Sequence, residues 1–216
     1  MTGRGRAVLL TLAALCAGDA AASADAAAIL RSLENAGREL KSMRADFVET
    51  KVLVLLDEKS ESRGSVLLQV PGRFRWDYET PQASVMVVKD SRFARYFPQS
   101  KQVFRGPAKG EADLLVGFGP GAADLGRKYD VTLVGDETVG AVPAHVLDLK
   151  TRPGQGGLFA GIRLWIDASR FIPLQTRLTE PTGDYTTVRF EHVVLNGPMK
   201  PADFDLVLPK DVVEVK

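Results

Sequence analysis

Residues Arg63 to Pro81 read RGSVLLQVPGRFRWDYETP. Val66, Leu68 and Val70 alternate with Ser65, Leu67 and Gln69, and beyond Pro71-Gly72 the residues Phe74, Trp76 and Tyr78 alternate with Arg73, Arg75 and Asp77. A period of two on either side of a Pro-Gly turn predicts a pair of antiparallel strands. One face of the hairpin is apolar and partly aromatic, whereas the other carries Ser, Gln, Arg and Asp with Leu67 as the exception. Such alternation belongs to a sheet covered on one side and wet on the other. What covers the apolar side is the functional question.

Upstream, Arg44 to Leu56 has strand character through Phe47, Val48, Val52, Leu53 and Val54, and the DEKSES segment from Asp57 is expected to turn the chain into Gly64. Before it, Ile29, Leu30, Leu33, Ala36, Leu40 and Met43 recur at three- and four-residue steps with charged residues between them. This spacing predicts an amphipathic helix over Asp25 to Met43, capped by Asp25. Downstream, short strands are expected over Ser84 to Lys89, Phe93 to Phe97, Gln102 to Arg105, Tyr129 to Val134, Ala144 to Leu149, Ile162 to Asp167, Pro173 to Thr179, Thr186 to Leu195 and from Val212. Between Gly110 and Gly126 the period changes: Glu111 to Val116 suits a short helix, and Pro120 could start a second that ends near Gly126.

At the start, Arg4 and Arg6 precede an apolar run from Ala7 to Ala17, and Ala22-Ser23-Ala24 offers a signal-peptidase site. Residues 1–24 are therefore expected to be a signal peptide, leaving 25–216 as an exported, periplasmic protein. The run falls short of the ~20 residues of a membrane span. Cys16, the only cysteine, lies inside the signal. A rival reading makes Cys16 the acylated residue of an anchored lipoprotein, against which the bulky Leu15 argues, because that processing wants a small residue there.

The chain of 216 residues is 45% hydrophobic and 25% charged, compatible with one large or two small domains. No repeat, linker or composition break divides 25–216, so one domain is expected. Loss of Arg4, Arg6 and Asp19 takes the formal charge from +1 to zero. A neutral protein lacks the electrostatic footprint for nucleic acid, and Arg92, Arg95, Lys101 and Arg105 read as a solvated strand face.

Chemistry-bearing patterns are sparse. His145 and His192 are the only histidines, each within an expected strand and without a second histidine near it. There is no G-x-S-x-G elbow and no phosphate-cradling G-x-x-x-x-G-K-S/T loop. In Gly117-Phe118-Gly119-Pro120-Gly121 the proline removes a backbone donor. The pairs Asp57-Glu58 and Asp136-Glu137 fall in segments that read as turns. No enzyme activity, cofactor or metal is expected.

Taken in order, the N-terminal helix leading to ADF, Gly64 opening a strand, Pro71 with FRW and Pro81 after it, the VVKDSRF turn, and the late FEHVVLNG and ADFDLVLPKDVVEV segments resemble the LolA family of periplasmic carriers for outer-membrane lipoproteins. The resemblance implies an α+β fold: a strongly curved antiparallel sheet, an open half-barrel of about eleven strands, covered by an N-terminal helix and two short lid helices. It implies a carrier that holds the acyl chains of lipoproteins, or of another lipid, in a hydrophobic cavity. Its partners would be an inner-membrane release complex and an outer-membrane acceptor, and the protein would act as a monomer. The lipid-binding face would comprise Phe47, Val66, Leu68, Phe74, Trp76, Met86, Val88, Leu133, Leu147, Leu164 and Ile166, with Leu114, Leu115 and Phe118 from the lid. Three positions depart from the family pattern: Val70 replaces an arginine before the proline, Arg95 a tryptophan, and Ser91 a turn glycine. An anchored acceptor or a lipid-sensing regulatory module of the same fold is the alternative.

Overall fold

The computed structural model describes residues 16–108, 115–123, 125–154 and 159–215, with the side chains of 16–24 and 120 left aside. Helix α1 (Cys16–Glu39) leads into β1 (Ser42–Leu53), β2 (Glu58–Gln69), β3 (Arg73–Thr80), β4 (Ser84–Lys89), β5 (Arg92–Phe97) and β6 (Gln102–Pro107). A 3-10 turn (Gly119–Ala122) and a short helix α2 (Leu125–Lys128) come next. Then follow β7 (Tyr129–Val139), β8 (Val142–Thr151), β9 (Gly161–Asp167), β10 (Pro173–Thr179), β11 (Tyr185–Leu195), a 3-10 turn (Pro201–Phe204) and β12 (Val213–Val215).

All twelve strands form one sheet in the order β12-β6-β5-β4-β3-β2-β1-β11-β10-β9-β8-β7. Eleven pair antiparallel with their neighbours, and β12 joins β6 in parallel, Val213 opposite Gln102. Two up-and-down meanders, β1–β6 and β7–β11, are joined along a single seam where Met43 pairs with Leu195 and Phe47 with Phe190. The sheet does not close, so β7 and β12 remain its edges. This is the expected α+β open half-barrel.

The hairpin 63–81 keeps its period of two: Val66 opposes Trp76 and Leu68 opposes Phe74. Val66 and Trp76 are both fully buried on the concave side. On the convex side, the Pro201–Phe204 turn packs over β3 and β4, Phe204 is fully buried, and Arg75 donates to the backbone oxygens of Asp203 and Asp205. A second outer cluster joins Ala144, Val146, Trp165 and Leu174. Trp165 donates its Nε1–H to Glu137 over 2.7 Å.

Several local expectations are corrected. The first helix ends at Glu39 rather than Met43, and Met43 lies in β1 as a cluster residue of the concave face. Asp25 does not cap the helix, which already runs through it from Cys16, as the alanine-rich stretch 20–28 favours. The buried positions Ala26, Ile29, Leu30 and Leu33 keep the helical period. DEKSES is strand rather than turn from Glu58 onward; the reversal is made by a 3-10 turn at Val54–Leu56 and by Asp57 at φ 51°. Asp136 and Glu137 lie within β7, not in a turn. The last short helix extends to Lys128, beyond Gly126, and the proposed helix start at Glu111 to Leu114 falls outside the described residues, as do residues 1–15 of the expected signal.

Asp167 is expected to make stability depend on pH. Asp167, 2% exposed, ends β9 and accepts hydrogen bonds from the backbone and hydroxyl of Ser169 and from the backbone and guanidinium of Arg170. Burial by itself would raise its pKa, but these hydrogen bonds outweigh it and hold the carboxyl at about 2. A depressed value stabilises the fold above the unfolded pKa of ~3.9 and is lost as pH falls toward the folded value. Wild-type stability is therefore expected to lose about 2 kcal/mol from this group between pH 5 and pH 2. Urea titrations of wild type and Asp167→Asn should converge over that range; parallel curves would remove Asp167 from the explanation.

Candidate functional site: an apolar groove with a polar end

The concave face carries two adjoining apolar clusters. The first unites Met43, Ala45, Phe47, Val66, Leu68, Phe74, Trp76, Met86, Val188 and Phe190 from the sheet with Leu115 and Phe118 above it, and Val88 packs against it half-buried. The second unites Leu147, Leu164 and Ile166 with Ile29, Leu30 and Leu33 of α1 and with Val116, with Leu133 packed at its side. Thirteen of the fourteen residues anticipated to hold lipid lie in or against these two clusters, and Leu114 falls outside the described residues. Phe190 and Val70 were missed, although Val188 and Phe190 alternate in β11 as clearly as Phe74 and Trp76 do in β3.

Ring contacts run across the groove: Phe47 to Trp76 at 4.6 Å, Trp76 to Phe190 at 6.3 Å and Phe190 to Phe118 at 5.1 Å between centroids. Between sheet and roof an apolar cavity of about 250 Å³ remains, lined by Leu68, Val70, Phe74, Val88, Leu115 and Phe118. That is just below the ~300–1,000 Å³ usual for ligand pockets.

The roof meets the sheet through side chains. Among the described residues, backbone hydrogen bonds seen for 115–121 are internal: Phe118 N to Leu115 O, Gly121 N to Phe118 O and Gly117 N to Gly121 O. Apolar side chains hold it to the sheet. It also leans on α1, where Gly37 is a necessity: a Cβ there would sit 2.6 Å from Ala122 Cβ and 2.8 Å from the Gly119 carbonyl oxygen. Val70, in the position where an arginine was anticipated, lines the same cavity and donates its backbone N–H to Lys41 O.

Beyond Phe47 and Trp76 the concave face changes character. Glu49, Tyr78, Ser84 and Arg95 continue the inward-facing rows, and with Lys51, Ser60, Ser62, Phe97 and Thr186 they line a cavity of about 440 Å³. The Tyr78 hydroxyl donates to Glu49 Oε2 over 2.9 Å. Burial raises the Glu49 pKa against the opposing pull of that hydrogen bond and of the Arg95 and Lys51 charges. Burial, and then Glu49, push the Tyr78 hydroxyl up as well. Arg95 lies 5.4 Å from the Tyr78 ring centroid and 5.0 Å from that of Phe97. It is not part of a solvated face with Lys101 and Arg105, which pair with Asp211 and Glu214. Its parity with Phe93 and Phe97 was the sequence signal for the inner side.

The histidines are paired on the surface, His145 with Asp136 at 2.6 Å and His192 with Asp46 at 2.7 Å. Among the described residues no three His, Cys, Asp or Glu side chains are grouped to hold a metal, and no helix is long and apolar enough to cross a membrane.

Residues 38–207 match the model of the family described as outer membrane lipoprotein carrier protein LolA. An outer-membrane lipoprotein carrier protein of Chromobacterium violaceum is 29% identical over 214 residues, covering 94% of each chain. One from Legionella pneumophila strain Paris is 30% identical over 197 residues, covering 90% of this chain and 91% of the relative. Among solved structures, a conserved protein of Thermus thermophilus superposes with a TM-score of 0.57 at 16% identity over 88% of this chain and 98% of its own, a likeness of fold.

Proposed function

The chain belongs to the LolA family of outer-membrane lipoprotein carriers, and from that premise we propose that it shelters acyl chains in the concave groove and passes them between membranes without chemistry on the cargo. The observation that carries this reading is the cover of the first apolar cluster: beside α1, which packs on the second cluster, its roof is a short segment whose backbone hydrogen bonds among the described residues are internal. Burial of apolar surface is worth about 25 cal/mol per Å². A cargo with long chains therefore needs a handover rather than release into water. We further propose cleavage of residues 1–24 after Ala24, a periplasmic location and one functional domain over 25–216, supported by the arginines, apolar run and small-residue site of the N-terminal sequence. The relatives' names support lipoprotein as cargo. An inner-membrane donor and an outer-membrane acceptor are the partners that such transit requires.

The test uses the two tryptophans, which lie on opposite faces of the sheet: Trp76 in the groove cluster and Trp165 in the outer one. In a Trp165→Phe variant, a fatty acid brominated along its chain is expected to quench most of the remaining emission, since Trp76 is fully buried among groove residues. Unchanged Trp76 emission in a sample that native mass spectrometry shows to be lipid-loaded would place the chains elsewhere. A sample that takes up no lipid would end the carrier reading.

A further inference from the structure

Native interiors leave few buried hydrogen-bond donors unmatched. Among the described residues, three side-chain atoms of the concave face are buried without a partner: Trp76 Nε1, Arg95 Nε and Thr176 Oγ1. A fourth such atom, Arg189 Nε, belongs to a side chain that pairs with Glu191 through its other nitrogen. Trp76 and Arg95 stand on one rung of the sheet, each opposite Met86 of β4. Their backbones are thus about 10 Å apart, two strand spacings. Arg95 is held between the Tyr78 and Phe97 rings, makes a 3.4 Å contact to Ser84 Oγ, and interacts through its charge with Glu49, which lines the same cavity. Thr176, 1% exposed on β10, pairs with Leu164 and Val188 inside the same groove. This rung marks the boundary between the apolar groove and the polar cavity of about 440 Å³.

Donors without acceptors, placed where apolar lining gives way to polar lining, describe a particular ligand: one whose hydrogen-bond acceptors sit at the junction of a hydrocarbon chain and a polar remainder. Esters and amides of fatty acids have that form, because the acyl carbonyl accepts but cannot donate. Resting on the carrier reading, we propose that Trp76 and Arg95 form an acyl-carbonyl subsite. The chain lies on the apolar side beneath Leu115 and Phe118, the carbonyl oxygen accepts from Trp76 Nε1–H and the Arg95 guanidinium, and the polar remainder occupies the cavity beside Tyr78 and Ser84. Thr176 offers a further donor from the other meander. Arg95, where the family pattern has a tryptophan, gives this chain a selectivity that a purely apolar groove lacks.

The experiment compares two ligands that differ in the acceptor alone, glycerol monomyristate and glycerol monotetradecyl ether, by calorimetric titration of the full protein. A hydrogen bond to a charged donor corresponds to roughly tenfold to a hundredfold in affinity. Wild type is expected to bind the ester at least about tenfold more tightly than the ether. Arg95→Met should remove most of that preference by weakening the ester more than the ether, and Trp76→Phe should remove a smaller part. Equal affinity of wild type for both ligands would overturn the subsite and leave the carrier reading standing. An ester preference that survives both substitutions would overturn the assignment to these residues. Binding of neither ligand would count against the carrier reading itself and the subsite with it.

Discussion

Gly64→Ala is expected to destabilise the protein by about 3 kcal/mol or more, the upper range of overpacking. A Cβ at Gly64 would fall 1.8 Å from the Asp77 carbonyl oxygen and 3.1 Å from the Phe47 ring. The first neighbour is backbone of the paired strand and cannot rotate away. Gly64 lies where the β2–β3 register shifts, so β3 would have to move and take Trp76 and Tyr78 from their contacts with Phe47. Gly106→Ala is the control: nothing lies within 4 Å of its added Cβ, and stability should change by less than about 0.5 kcal/mol. Urea denaturation compares the two. Equal midpoints for Gly64→Ala and wild type would mean that the strands adjust freely, contrary to the packing described.

Phe118→Ala should act locally and almost as strongly. Burying a phenylalanine is worth ~3–5 kcal/mol against alanine, and Phe118 is 2% exposed against Phe190 and the cavity wall. Because the backbone hydrogen bonds of 115–121 among the described residues are internal and side chains meet the sheet, the loss is expected to fall on roof opening. Amides of 115–123 are expected to exchange at least about a hundredfold faster, since each 1.4 kcal/mol is a factor of ten. Protection in β1, β3 and β11 should hold, and bound lipid should restore protection of the roof. If the whole sheet loses protection together, Phe118 belongs to a fixed core and the roof does not open separately.

The groove was legible wherever parity alone decides the facing of a residue. In 63–81 the alternation named Val66, Leu68, Phe74 and Trp76 correctly because each is paired across one short turn. Parity failed where a residue type overrode it: Arg95 was grouped with surface cations by charge, although its place between Phe93 and Phe97 put it inside. The outer burial of Trp165 was illegible because its cover comes from the aliphatic and charged neighbours of other strands. The seam between β1 and β11 was equally hidden, since no local pattern says which strands meet across so long a separation.

That seam sets the order in which the molecule can be made. Each meander grows through neighbouring hairpins, but β1 finds its second partner only when Tyr185–Leu195 exists, and α1, at the start of the chain, packs on β7 and on Leu147 and Leu164 of the second meander. Contacts between distant parts of a chain form slowly, typically in milliseconds to seconds for sheet proteins. Until they form, β1 is a bare edge able to pair with another chain. The groove is thus completed only by the final docking event: a nascent or truncated chain ending before β11 keeps Leu68, Phe74, Leu115 and Phe118 of the cavity lining but lacks Val188, Phe190 and the seam that joins the two meanders.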